Sequence, residues 1–182
     1  MNRFNIKRIN VIGTSGSGKT TFSRQLAQKL GYPYIEMDAL YWKANWQETE
    51  DEEFFAKIAA ETNQKTWVLD GNYSRADSIK WKRADTIIWI DYSLSRTLYQ
   101  SIKRTVIRCW TKKELWPNTG NTETFRKSFF SRDSVVRWML VSYKQNQIRY
   151  AQLPLDANLA HIHFVRLTSP HMAEAYLDNL SH

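Results

Sequence analysis

The chain has 182 residues, 42% hydrophobic and 24% charged, with a formal net charge of +8, which suits one domain over residues 1–182 with a substantial core. No apolar run is long enough to span a membrane, and the first eight residues lack the apolar core of a signal peptide. Cys109 is the single cysteine, which excludes an internal disulfide and a cysteine-based zinc site, so the expectation is a cytoplasmic protein with no membrane partner.

Residues 6–12 form an apolar, β-prone run broken by Asn10. They lead into Gly13-Thr14-Ser15-Gly16-Ser17-Gly18-Lys19-Thr20, a complete G-x-x-x-x-G-K-[ST] loop. A helix predicted over 21–30 follows, stopped by Gly31. Strand, glycine-rich loop and helix are the context this motif needs. The glycines let successive backbone N–H groups turn toward phosphate oxygens, and the helix N-terminus adds partial positive charge. Gly13, Ser15, Gly16, Ser17, Gly18, Lys19, Thr20 and Thr21 are therefore the expected nucleotide contacts. Lys19 should reach the β- and γ-phosphates, and the Thr20 hydroxyl should ligate Mg²⁺.

A short second strand over 34–36 is entered through Pro33. Residues 48–64 predict a helix that opens with acidic residues and places Phe54, Phe55, Ile58 and Ala59 at helical spacing. A third strand over 66–69 ends at Asp70-Gly71, and a fourth over 86–90 ends at Asp91. The continuous apolar character of the fourth suits a parallel strand covered on both faces. A helix over 95–110 places Leu98, Ile102, Val106 and Cys109 on one side, with Cys109 buried. Residues 111–121 carry Pro117 and Gly120 and read as a loop. Helices over 122–130 and 133–150, a fifth strand over 162–167 and a closing helix over 170–180 complete the chain. This alternation gives an α/β domain with a mostly parallel sheet and ligands at the strand C-termini.

The strand ends bring carboxylates to that place. As strand residues two apart, Glu36 and Asp38 share a face. A carboxylate near the phosphates can hold magnesium through water, and one nearer an acceptor can bind a hydroxyl or accept its proton. Asp70 is assigned to the metal with Thr20, and Asp38 to the acceptor. Glu36 and Asp91 stay open between a site role and an ordinary strand-end role. The residue after Asp70 is glycine rather than a second acid, and no Asn-Lys-x-Asp string occurs. Both absences lean toward phosphoryl transfer to a small acceptor, with Lys19 and Asp38 as catalytic residues.

The positive charge sits in one segment. Residues 96–149 hold twelve Lys/Arg against Glu114, Glu123 and Asp133. Such a segment attracts phosphate or another polyanion. Arg104 and Arg108 lie one helical turn apart, and Arg126, Arg132 and Arg137 follow the loop. A helical lid over 109–132 would carry some of these over the phosphates, with Arg104, Arg108, Arg132 and Arg137 as the candidates. Tyr41, Trp42 and Trp46, interleaved with Lys43 and Asn45, either stack on a flat or ring-shaped acceptor or pack their loop against the body. Trp67, Trp81, Trp89 and Trp138 read as structural.

The strings GTSGSGKTTFSRQLAQKLG, EMDALYWKANW, WVLDGNYS, RADTIIWID and ETFRKSFFSRDSVVRW span nearly the whole chain. With them it resembles the adenylate-kinase-like group of P-loop kinases, and within it the DNA topology modulation proteins of the FlaR type. The resemblance implies a three-layer P-loop kinase sandwich with a five-stranded parallel sheet in the order 2-3-1-4-5. It also implies a lid after the fourth strand, ATP with Mg²⁺, and an adenine contact at Thr168–Pro170 that includes Thr168 and Pro170. Asp70-Gly71 is similar to the Asp-Gly of nucleoside monophosphate kinases, without the Pro-Arg that follows there. Glu36-x-Asp38 is similar to the Asp-x-Asp of shikimate-kinase-type enzymes. Two further classes stay open beside a small-molecule kinase. One is a nucleotide-dependent regulator that binds nucleic acid through 96–149, and the other is a nucleotide-binding module without turnover.

Overall fold

Ile9, Val11 and Ile12 make β1 (Arg8–Gly13) apolar on both faces, and it becomes the central strand. It pairs in parallel with β3 (Trp67–Asp70) on one side and β4 (Thr86–Ile90) on the other. β2 (Tyr34–Glu36) adds outside β3, and β5 (His163–Leu167) adds outside β4. The sheet is five-stranded, all parallel, in the order β2-β3-β1-β4-β5. The computed structural model describes residues 6–125 and 135–180, and for 135–138 the backbone alone.

Parallel pairing needs crossovers, and helices supply them on both faces. Among the described residues they are α1 (Lys19–Leu30), α2 (Met37–Tyr41), α3 (Asp51–Glu61), α4 (Asp77–Lys80), α5 (Leu94–Thr111) and α6 (Val135–Gln152), and α7 (Pro170–Asp178) follows the last strand. The period of two along each strand sorts its side chains into two cores. Ile12, Leu69, Ile87 and Trp89 pack with Met37, Phe54, Ile58 and Tyr150. Ile9, Val11, Val68, Ile88 and Ile90 pack with Phe22, Leu26 and Leu177 on the other face.

Asn10, the one polar residue in the middle of β1, is fully buried and satisfied. Its amide donates to the carbonyls of Leu69 and Gly71, each at 3.0 Å, and its oxygen accepts from Trp81 Nε1 at 2.8 Å. The break in the apolar pattern therefore pins the end of β3, where Asp70-Gly71 enters the loop.

Most predicted elements lie within a few residues of the observed ones. β2 and β4 have the predicted bounds. The helix predicted over 48–64 is shorter, Asp51–Glu61. Residues 122–124 are not helical, and the rest of the helix predicted over 122–130 lies largely outside the described residues. Two departures matter. α2 starts directly after Glu36, so Asp38 lies in a helical first turn and not two residues along a strand. And α5 buries Thr97, Ser101, Thr105 and Cys109, leaving Ile102 and Val106 37% and 40% exposed.

The reason for the second departure is steric. A Cβ on Gly16 would lie 2.7 Å from Ser101 Cβ and 2.9 Å from the Thr97 carbonyl oxygen. Only small side chains let α5 approach the glycine loop so closely. Gly16→Ala should lower stability by about 1–3 kcal/mol, because the new methyl has no room and Gly16 sits at φ +85°. Urea denaturation measures this, and an unchanged midpoint would contradict the packing account.

Candidate nucleotide site at the strand ends

Between β1 and α1 the chain turns tightly, with Ser17 N donating to the Thr14 carbonyl at 3.0 Å. Gly18 caps α1 at φ +91°, in the left-handed region. Lys19 and Thr20 open the helix, while Thr21 is exposed on its outer side. Lys19 Nζ lies 3.4 Å from Asp70 Oδ1. Burial opposes the lysine charge, but the Asp70 and Asp38 carboxylates outweigh it and raise the pKa above the ordinary lysine value.

Asp70 is 2% exposed. Its Oδ2 accepts from the Tyr34 hydroxyl at 3.0 Å, and its Oδ1 has no hydrogen-bond partner. Asp38 Oδ1 accepts from the Tyr73 hydroxyl at 2.7 Å. Burial, then the Asp38 charge, push the Tyr73 pKa upward, so it remains a donor. The helical start at Met37 replaces the expected strand alternation and separates the two nearby acids. Asp38 is electrostatically coupled to Lys19, whereas Glu36 is engaged by Arg24 at 2.9 Å, Tyr34 at 3.3 Å and Trp116 Nε1 at 3.3 Å. Asp91 is engaged by Arg166 Nε at 2.8 Å and Gln147 at 3.2 Å. The two acids left open by the sequence thus have structural partners.

From the other side, α5 brings Arg104 to the loop, where Nη2 donates to Ser15 Oγ at 3.1 Å. Burial and then the neighbouring Arg108 lower the Arg104 pKa, with Glu123, Asp38 and Asp70 acting against them. Arg108, one turn on, is held by Glu123 at 3.0 Å. Arg132 lies outside the described residues, as does the Arg137 side chain. At the end of β5 the Thr168 hydroxyl donates to Met172 Sδ at 3.2 Å, and Ser169 caps α7, which opens on Pro170.

Buried polar atoms near the loop lack hydrogen-bond partners: Ser17 Oγ and Arg104 Nε have none, and Asp70 Oδ1 has only its ion pair with Lys19. Such groups need an explanation, and a polar ligand supplies one. A hydroxyl, a carboxylate oxygen and a guanidinium N–H around one glycine cradle fit phosphate oxygens with a magnesium ion. Among the described residues no group of three or more His, Cys, Asp or Glu could hold a metal. Tyr34, Tyr73 and Arg104's contact with Ser15 were not legible as site features. The one available signal was strand alternation, which places Tyr34 beside Glu36.

Behind Tyr73, Lys80 is fully buried. Its Nζ lies 2.9 Å from Asp77 Oδ1 and donates to the Tyr73 carbonyl at 3.3 Å. Burial lowers its pKa to about 8 against the opposing pull of Asp77.

Fold and site together define a kinase-like P-loop nucleoside-triphosphate-binding protein. Residues 9–123, more than half of the chain, match the family described as AAA domain, and the chain belongs to that family. A probable gluconokinase of Schizosaccharomyces pombe is 57% identical over 35 residues; the match spans 19% of this chain and 18% of that protein. Among solved structures, a gluconokinase from Sinorhizobium meliloti superposes with a TM-score of 0.51 at 18% identity, covering 96% of this chain and 93% of that one. A shikimate kinase from Acinetobacter baumannii in complex with shikimate gives 0.57 at 15% identity, with 97% and 91% covered. A shikimate kinase from Bacteroides thetaiotaomicron gives 0.57 at 11% identity, with 96% of both chains covered. At these identities the likeness is one of fold.

Two measurements check the site. Lys19→Ala should weaken ATP binding by on the order of 1.5–3 kcal/mol, the loss of a charge-assisted contact, and calorimetry giving equal affinities would refute the assignment. For Lys80 the depressed folded-state pKa means that the unfolded chain binds more protons between pH 8 and about 10, so its contribution to stability rises with pH there. Denaturation of Lys80→Met against the parent chain should show that rise disappear; parallel pH profiles would contradict it.

Proposed function

We propose that the protein transfers the γ-phosphoryl group of ATP to a hydroxyl of a small metabolite. The observation that carries this reading is the meeting of Lys19, Asp38, Asp70 and Arg104, from four different elements, around one glycine loop. The gluconokinase and shikimate kinase likenesses support it, as does the family.

In this proposal Gly13, Ser15, Gly16, Ser17, Gly18, Lys19, Thr20 and Thr21 hold the phosphates, and Thr168 and Pro170 border the adenine. Thr20 and Asp70, the latter through water, would hold Mg²⁺, which when bound neutralises phosphate charge. The acceptor hydroxyl loses its proton to Asp38 as its oxygen bonds to the γ-phosphorus. The bond from that phosphorus to the β–γ bridging oxygen breaks, and its electron pair leaves with ADP. Lys19 and Arg104 stabilise charge on the transferring group. Arg132, within a lid over 109–132, would join them in this single domain, together with Arg108 and Arg137 on either side of that lid. The strings EMDALYWKANW and WVLDGNYS support, in this proposal, a likeness to the FlaR-type branch of the group.

A nucleic-acid role for 96–149 would need its cations turned outward as a stripe. Arg104, Arg108 and Arg149 instead engage Ser15, Glu123 and Asp77, while Arg96, Lys103, Lys112, Lys113 and Lys144 are exposed. The inward set favours the kinase reading.

The test is ADP release from Mg-ATP across a panel of hydroxylated metabolites, nucleosides and nucleotides. Acceptor-dependent release is expected. Asp38→Asn should leave ATP affinity intact and lower kcat by about 10²–10⁴-fold. Hydrolysis indifferent to every acceptor, or full activity in Asp38→Asn, would contradict the proposal.

A further inference from the structure

The loop joining α2 to α3 holds two consecutive non-glycine residues, Asn45 and Trp46, at φ 58° and 59°. That region is sterically disfavoured for side chains as large as tryptophan. A distant side chain keeps them there. Asn121, 1% exposed, accepts from Trp46 N through Oδ1 at 2.9 Å and donates from Nδ2 to the Lys43 carbonyl at 2.9 Å. Both ends of one buried amide are spent on this loop. Trp116, from the same segment as Asn121, reaches back to Glu36.

The clamp assembles an aromatic wall. The Trp42 and Trp116 rings are stacked, 18° from parallel with centroids 6.3 Å apart, and Trp46 meets both edge-on at 5.6 and 5.8 Å. Trp42 follows Asp38 by one helical turn, with its N–H on the Asp38 carbonyl at 3.0 Å. The wall therefore begins one helical turn from Asp38, whose charge acts on Lys19.

The cations of this quarter are already committed. Lys43 pairs with Glu53 at 2.6 Å, and Lys57 pairs with the same glutamate at 2.7 Å. Arg75 pairs with Asp51 at 3.0 Å while lying over the Tyr41 ring. Lys80 pairs with Asp77, and Arg24 with Glu36. Lys65, Lys82 and Arg83 precede β3 and β4 and so belong to the opposite end of the sheet. Among the described residues from β2 to β4, every cation at the strand-end side is thus ion-paired, and the Asp38 carboxylate and the indole rings are the features offered to a ligand.

We infer that the acceptor is an uncharged, hydroxyl-bearing ring compound, of the sugar or nucleoside kind, seated between Asp38 and a tryptophan wall that Asn121 fixes. The inference rests on the kinase reading above. Arg104, the nearby cation with no ion pair among the described residues, is assigned above to the transferring phosphoryl group, so an acceptor carrying a carboxylate or phosphate would bring its charge beside Asp38 and would have to compete with that group or break an existing ion pair for a counter-ion. An uncharged ring gives Asp38 a hydroxyl to bind and lays its apolar face on indole. Asn121 is a positioning residue in this arrangement, since it acts through the loop and not on the acceptor.

Matched acceptor pairs that differ in charge test the inference: glucose with gluconate, methyl shikimate with shikimate, and adenosine and uridine with their monophosphates. Each is titrated against tryptophan fluorescence in the presence of Mg-ADP, and each is assayed for ADP release from Mg-ATP. The uncharged member of at least one pair should change the fluorescence and should exceed its anionic partner in kcat/KM by roughly tenfold or more. Trp42→Ala and Asn121→Ala should raise its KM by a similar factor with ATP affinity unchanged, and Asn121→Ala should also alter the emission of the free protein. Preference for the anionic member would overturn the inference and leave the kinase reading standing. ADP release without acceptor dependence, or silence of both readouts across all pairs, would remove both.

Discussion

The close approach of α5 to the glycine loop governs much of this structure. Gly16 has no room for a methyl because Ser101 and the Thr97 carbonyl occupy that space. A helix that packs so tightly must present small residues, and α5 does so with Thr97, Ser101 and Thr105. One consequence is functional, since Arg104 comes within hydrogen-bond distance of Ser15. Another is that the larger apolar residues of the helix turn outward, Trp110 being 81% exposed. Loop, arginine and inverted helix face share one steric cause.

A second constraint is electrostatic. Lys19 is drawn to Asp70, whose other oxygen is occupied by Tyr34, while Asp38 is held by Tyr73. Charges in such a place persist only when paired. The same pairing keeps Lys19 cationic despite burial, while Ser17 Oγ and Arg104 Nε stay buried without hydrogen-bond partners. Asn10 contributes from below by fixing the Gly71 carbonyl, so the carboxylate-bearing end of β3 is set by the central strand itself.

The fold was legible because its signals are local. The strand–loop–helix string fixed the first unit, and runs such as 86–90 could only be strands covered on both faces. The phosphate loop was legible for the same reason. The local geometry at Asp38 was illegible, because nothing in Glu36-Met37-Asp38 reveals that helix begins at Met37. The side buried by α5 was illegible because apolar periodicity pointed away from the small residues that a close contact demands. Asn121's hold on Trp46 joins residues 75 apart and leaves no trace in either neighbourhood. Glu36 and Asp91 could be resolved only once Arg24, Trp116, Arg166 and Gln147 were placed beside them.

The most direct test of the account is a crystal structure with ADP, magnesium and a metal fluoride that mimics the transferring phosphoryl group. The account predicts the fluoride in the glycine loop, Lys19 moved from Asp70 onto it, Arg104 released from Ser15 to meet it, and magnesium on the Thr20 and Asp70 side. Nucleotide bound away from the loop, or Lys19 still on Asp70 and Arg104 still on Ser15 with the mimic in place, would contradict it.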